Sequence, residues 1–219
     1  MRPLTTTDRG DSRPQPGRNA GKTLSCRVGV SPYGARIYIM RILIASDIHG
    51  SFSAVNKFSL KIKEMRADLA VMLGDVLYHG PRNPLPDNYN PAEVCKVLAE
   101  LPVPVIAVRG NCDAEVDELV LPFHLAESSW IIEGGSRIFA IHGHQLEING
   151  GSIKAPEGAA VLSGHTHLPT ADKRGSSHYW NPGSCSLPKQ AFPASFGIFE
   201  DNLFRVESFD GQVLMTDHL

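Results

Sequence analysis

Long apolar runs are missing from this chain of 219 residues. No stretch approaches the ~20 apolar residues that a membrane-spanning helix needs, so no transmembrane helix is expected. Charge of one sign is missing too. Lys and Arg number 21 against 23 Asp and Glu, a net charge of -2 with no basic footprint for nucleic acid. Cysteine is sparse: Cys26, Cys95, Cys112 and Cys185 lie far apart with no C-x-x-C pair. That pattern argues for free thiols in a reducing, cytoplasmic setting rather than a disulfide framework. What is present is ordinary for a soluble globular protein, 42% apolar and 20% charged residues. The length suits one sizeable domain, and it leaves a homo-oligomer open.

Residues 1–39 show little periodicity and hold mostly Arg, Gly, Ser, Thr and Pro. They are expected to be a disordered extension or a start-site artefact, because Met40 directly precedes the first strand-like run. The single domain is placed at residues 40–219.

From Met40 the pattern alternates. Strand-like runs at 41–46, 69–73 and 103–108 are separated by helical patterns at about 51–66 and 91–101. Strand, helix, strand, helix, strand is the signature of a mostly parallel sheet. A long loop at 78–90 interrupts it. After Glu127 the runs are short and closely spaced: 130–133, 137–141, 160–163, 171–173, 178–180, 195–200, 203–209 and 212–216. This half reads as mixed or antiparallel sheet. No linker separates the halves, so the expectation is an α/β domain of two packed sheets with helices outside.

Nine histidines are present, and five of them sit in short Gly/Asp/His motifs. The motifs are Asp47-x-His49, Gly74-Asp75, Gly110-Asn111-Cys112-Asp113, His142-Gly143-His144 and Gly164-His165-Thr166-His167. Each follows an apolar strand-like run. In extended chain, residues i and i+2 point the same way, so Asp47 and His49 converge. Ligands bind outside the carboxyl ends of buried parallel strands. Glycine beside the donors permits a tight turn and close backbone approach. Oxygen and nitrogen donors in this number are enough for two divalent metals. Two such cations bring about four positive charges, which two aspartates and a bridging hydroxide only partly offset, so an anionic substrate is favoured. Any one motif is weak evidence; five in order at strand ends are strong. The bland alternative, a set of capped turns and core histidines, fits each motif singly and fits the set poorly.

In this order the motifs resemble the calcineurin-like metallophosphoesterases, whose pattern is D-x-H, G-D, G-N-H-[DE], [GH]-H and G-H-x-H. The likeness covers residues 40 to about 187. Within that superfamily the run Gly74 to Asn83, the run Arg109 to Asp113 and the turn Asn181-Pro182-Gly183-Ser184 are similar to the YfcE-type bacterial phosphodiesterases. The resemblance implies a four-layer α/β/β/α sandwich. It implies one metal on Asp47, His49 and His167, a second on Asn111, His142 and His165, and Asp75 bridging the two. The metal it implies first is Mn2+, with Zn2+, Fe2+, Co2+ or Ni2+ also compatible with these donors. It further implies a phosphodiester hydrolase that uses a metal-bridging hydroxide, with Asp75 and Asn111 serving catalysis at the metals. A small-molecule phosphodiester is the substrate class expected.

One residue departs from the superfamily pattern. Cys112 stands where histidine is usual. A thiol is a poorer proton donor and carries no positive charge to hold a dianion, so diesters are expected over monoesters. His144 is the nearest replacement for the missing acid. Cys112, His79, Arg82 and Asn83 are the candidate substrate contacts, although a loop packing on itself explains the last three as well. The alternatives are a phosphomonoesterase and a non-catalytic scaffold of the same fold, as the retromer subunit is. Against the scaffold stands a metal set that is unbroken here.

Overall fold

The computed structural model describes residues 27–30 and 36–219. Two mixed sheets stack face to face. In chain order the strands are β1 (Val28–Val30), β2 (Arg36–Tyr38), β3 (Ile42–Ala45), β4 (Leu69–Met72), β5 (Val105–Ala107), β6 (Ser129–Glu133), β7 (Ser136–Ala140), β8 (Ala160–Leu162), β9 (Pro169–Arg174), β10 (Ser177–Pro182), β11 (Ser195–Glu200), β12 (Leu203–Ser208) and β13 (Val213–His218). Helix α1 (Phe52–Met65) lies between β3 and β4, and α2 (Pro91–Ala99) between β4 and β5. The first sheet has the order β13-β12-β11-β3-β4-β5 and the second β6-β7-β8-β10-β9. The pairs β3/β4, β4/β5, β7/β8 and β8/β10 are parallel, and the others in these two sheets are antiparallel.

Alternation along the strands builds two cores. Ile42 and Ile44 join Val71, Leu162, Trp180, Phe199 and Phe204 between the sheets. Leu43 and Ala45 face the other way, onto Val55, Phe58 and Ile62 of α1 and Val94 and Leu98 of α2. A two-residue side-chain period divides one apolar run between two layers. The helices end where their caps dictate. Ser51 accepts from the Ala54 N–H, Arg66 closes α1 in the left-handed region at φ 52°, and Asn90 caps α2 ahead of Pro91.

The outer face of the second sheet is covered more thinly. Leu146, Ile153 and Ala155 pack there on Phe139, Ile141 and Val161. Their segment holds a single 3-10 turn, Glu147–Asn149, because Gly150 and Gly151 stop the helix from propagating.

Disorder was expected throughout residues 1–39, and the described part departs from that. β1 and β2 pair antiparallel, Val28 opposite Tyr38. Arg27 pairs with Asp68 and with Glu200, the latter at 3.2 Å, and Tyr38 donates to Asp68. These polar anchors, rather than an apolar period, hold the segment against the body. The remainder of that expectation falls on residues 1–26 and 31–35, outside the described residues.

Candidate metal centre

Five loops leave the carboxyl ends of β3, β4, β5, β7 and β8, and each carries one motif. Backbone bonds knit the first two together. Asp47 N–H donates to Gly74 O at 3.2 Å, and His49 N–H to Asp75 O at 2.8 Å. Asp47, His49, Asp75, His165 and His167 all sit in the left-handed region, with φ between 50° and 67°. Non-glycine residues are uncommon there, and such strain collects where a site over-determines the backbone. At Gly110 the fit is closer still: a Cβ would lie 2.1 Å from Asp75 Oδ1. Only glycine lets the β5 loop pass so near that carboxylate.

The first donor set is Asp47, His49 and His167. His49 Nδ1 lies 2.8 Å from Tyr78 O, and His167 Nδ1 lies 2.6 Å from Leu187 O. A carbonyl only accepts, so both Nδ1 atoms carry hydrogen and, in the neutral rings, both Nε2 atoms present lone pairs. Those two nitrogens are 3.3 Å apart. Asp47 Oδ1 stands 3.3 Å from His167 Nε2 and 3.8 Å from His49 Nε2. It is buried and has no hydrogen-bond partner. The other oxygen, Oδ2, accepts from Ser46 Oγ at 2.5 Å and from the His165 N–H at 3.1 Å. Three mutually facing acceptors in a buried space repel each other unless a cation lies among them. Ligands at ~2.1 Å from one ion stand ~3.0–3.4 Å apart at right or tetrahedral angles. Two of the three separations, both 3.3 Å, lie in that range and the third, 3.8 Å, needs a wider angle, so these donors can surround one divalent metal.

Burial pushes the Asp47 carboxyl up. The facing imidazoles of His167 and His142, when protonated, outweigh burial and hold it well below the usual carboxylate range. Burial pushes His167 down, and the Asp47 carboxylate more than reverses that, leaving the imidazole above its ordinary 6.5.

The second cluster gathers on Asp75. Its Oδ2 lies 3.7 Å from His49 Nε2 and 3.5 Å from His142 Nε2, so it faces both donor sets. Its Oδ1 accepts the Cys112 N–H at 2.8 Å. His142 Nδ1 donates to Leu73 O at 2.5 Å, which turns Nε2 toward Asn111 Oδ1 at 3.1 Å. Here again two acceptors face each other. His165 stands slightly apart: its ring centroid is 5.3 Å from that of His142. No trio of described acid, histidine or cysteine donors within 4.8 Å includes it. Burial and then His142 push its imidazole down to about 4.

Residues 40–202 match the family model for the calcineurin-like phosphoesterase superfamily domain. The chain belongs to that superfamily. It is 40% identical over 187 residues to phosphodiesterase YfcE of Escherichia coli K12, covering 81% of this chain and 97% of that protein. It also superposes on the solved structure of that E. coli phosphoesterase with a TM-score of 0.77, 39% identity and coverage of 82% and 99%. A zinc complex of Vps29 from Entamoeba histolytica has a TM-score of 0.53 at 21% identity, covering 82% of this chain and 98% of its own. That likeness is one of fold. The metallophosphoesterase fold that the resemblance implies is the fold found, with α-helices covering the first sheet and a segment holding one 3-10 turn covering the second.

A cavity of about 400 Å³ opens over the centre, lined by Asp75, Asn111, Cys112, His165 and His167 and, on its rim, by Tyr78, Arg82, Asn83 and Lys189. His79 turns aside: its ring packs against those of Tyr78 and Tyr89, and its carbonyl accepts from Asn83 Nδ2 at 2.8 Å. His144 is not part of that lining. Its ring stands 5.5 Å from His142 and 6.0 Å from His165, and burial, then His142, push its imidazole below 6.5. Burial, followed by the Asp75 carboxylate, pushes the Cys112 thiol up to about 12.

In the sequence Asp113 stands only as the last residue of the Gly110–Asp113 motif. In the structure it accepts three backbone N–H groups, from Asp75, Val76 and Gly110, at 2.7 to 2.8 Å. Lys189 carries no motif signal at all. The Asn181–Ser184 turn lies under the site. Ser184 and Ser186 Oγ both donate to Asp47 O, and Asn181 Nδ2 donates to Gly164 O.

Proposed function

We propose that the chain is a metal-dependent phosphodiesterase. In this reading two divalent cations, Mn2+ first, sit on Asp47, His49 and His167 and on Asn111, His142 and His165, with Asp75 shared. The observation that carries it is the unpartnered Asp47 Oδ1, facing two histidine lone pairs at 3.3 and 3.8 Å. Its relative of 40% identity bears the name phosphodiesterase, which supports the same class.

Once bound, such ions supply Lewis acidity and an activated water near neutral pH. The protein does the positioning. Carbonyls of Tyr78, Leu73 and Leu187 fix the orientation of His49, His142 and His167. The Cys112 N–H holds Asp75 Oδ1, which leaves Oδ2 turned to the centre. The cavity admits a phosphate ester over Asn111 and His165, with Arg82 and Asn83 at its rim.

Cys112 sets the preference among esters. With its thiol pushed up to about 12 it stays neutral, so it adds no positive charge for a dianionic monoester. His144 is the candidate proton donor to the leaving group, acting from beside His142 and His165. A cytoplasmic location accords with the scattered thiols, of which Cys95, Cys112 and Cys185 are free. Among the described residues no helix is long and apolar enough to cross a membrane.

The test compares an activated aryl phosphodiester with the matching monoester, using metal-stripped protein with and without added Mn2+. Metal-dependent cleavage favouring the diester is expected. A monoester preference overturns the role given to Cys112. No turnover of either ester, with metal bound, leaves the scaffold as the better account.

A further inference from the structure

The two loops that orient histidines of the Asp47 set each bring one cation to the cavity. Tyr78, whose carbonyl accepts from His49 Nδ1, opens the loop that carries Arg82. Leu187, whose carbonyl accepts from His167 Nδ1, lies two residues before Lys189. Both loops are pinned beyond these contacts. Asn83 Nδ2 donates to His79 O at 2.8 Å, and the Phe192 N–H donates to Lys189 O at 3.1 Å. The backbone that carries each rim cation is therefore fixed beside the loop that orients a donor, and the Arg82 and Lys189 side chains are exposed.

Among the described residues, Arg82 and Lys189 form no ion pair. The acids that line the same cavity are already committed. Asp75 faces Cys112 N–H, His49 and His142, and Asp113 holds three backbone N–H groups. Lys189 lines the same cavity as His167. A phosphodiester brings one negative charge, and the metal centre is the place for it. Two further positive charges at the mouth then call for a second anionic group, which Arg82 can grip bidentately.

Resting on the phosphodiesterase reading, we propose that Arg82 and Lys189 seat a second anionic group of the substrate. The natural substrate is then a phosphodiester with a carboxylate or a further phosphate on one ester arm. Lys189 determines specificity and takes no part in bond cleavage.

The test uses p-nitrophenyl diesters whose other arm ends in a carboxylate, a phosphate or a neutral methyl ester of matched length. They are assayed with the Mn2+-loaded full chain, as wild type, Lys189→Met and Arg82→Met. Wild type should favour an anionic arm about fivefold in kcat/KM, mostly through KM, with the preference shrinking at high salt. The carboxylate and phosphate arms show which group the site takes. Each substitution should bring the anionic-to-neutral ratio toward one. Equal kcat/KM for all arms in wild type, or a ratio that neither substitution changes, overturns the inference. Failure to cleave any of the diesters refutes the phosphodiesterase reading beneath it, whereas cleavage without preference refutes only the second-anion site.

Discussion

Asp113 holds Asp75 by its backbone: Asp113 Oδ2 accepts the Asp75 N–H at 2.8 Å, and the same oxygen takes the Gly110 N–H at 2.7 Å. With Oδ1 on the Val76 N–H at 2.8 Å, one carboxylate fastens the loop after β5 to the loop after β4. These loops carry Asn111 and Asp75. Asp113 is thus a positioning residue for the two donors.

Replacing Asp113 with Asn puts an amide donor against at least one of those N–H groups. An unsatisfied buried donor costs about 2 kcal/mol. For a domain of this size that lowers the melting temperature by about 4–8 °C. Thermal unfolding of metal-stripped Asp113→Asn should show this drop, and Mn2+ titration should show weakened binding. Wild-type values for both would remove Asp113 from the account.

A second carboxylate joins the two sheets. Asp217 on β13 accepts from Trp180 Nε1 at 2.7 Å and His178 Nδ1 at 2.5 Å on β10. Burial pushes this carboxyl up, and the hydrogen bonds from Trp180 and His178 outweigh it, holding it below 3.8. A depressed folded value means a contribution to stability that is complete above 3.8 and lost as pH falls through the lower folded value. Melting temperatures measured from pH 6 down to about pH 2.5 should fall more steeply in wild type than in Asp217→Asn. Parallel curves would show that the link does not titrate.

His144 is testable by leaving group. His144→Ala should slow diesters of poor leaving groups by about 10²-fold, the scale of general acid catalysis, and spare activated aryl diesters. Equal effects on both, or none, would show that His144 donates no proton.

The parts of this fold that follow local rules were legible. The run Ile42 to Ala45 is apolar on both faces because it is covered on both, and it ends where Asp47 turns away. Ser51 and Asn90-Pro91 announce their helices by capping chemistry. The donors were legible because Asp47, Asp75, Asn111, His142 and His165 each follow closely on the carboxyl end of an apolar strand. Lys189 was not, since it enters the cavity through a loop that Ser184, Ser186 and His167 pin from a distance. The strands β1 and β2 were hidden for a similar reason. Their anchors, Asp68 and Glu200, lie far along the chain from Arg27. The work of Asp113 was also invisible, because backbone acceptors leave no pattern in side-chain spacing.

The central claim is that seven side chains hold two cations with Asp75 between them. Metal content and electron paramagnetic resonance of Mn2+-loaded protein test it most directly, in wild type and Asp75→Asn. Two ions per chain with an exchange-coupled signal in wild type, and loss of that coupling in Asp75→Asn, are predicted. A single ion per chain, or a coupled pair that survives in Asp75→Asn, would contradict it.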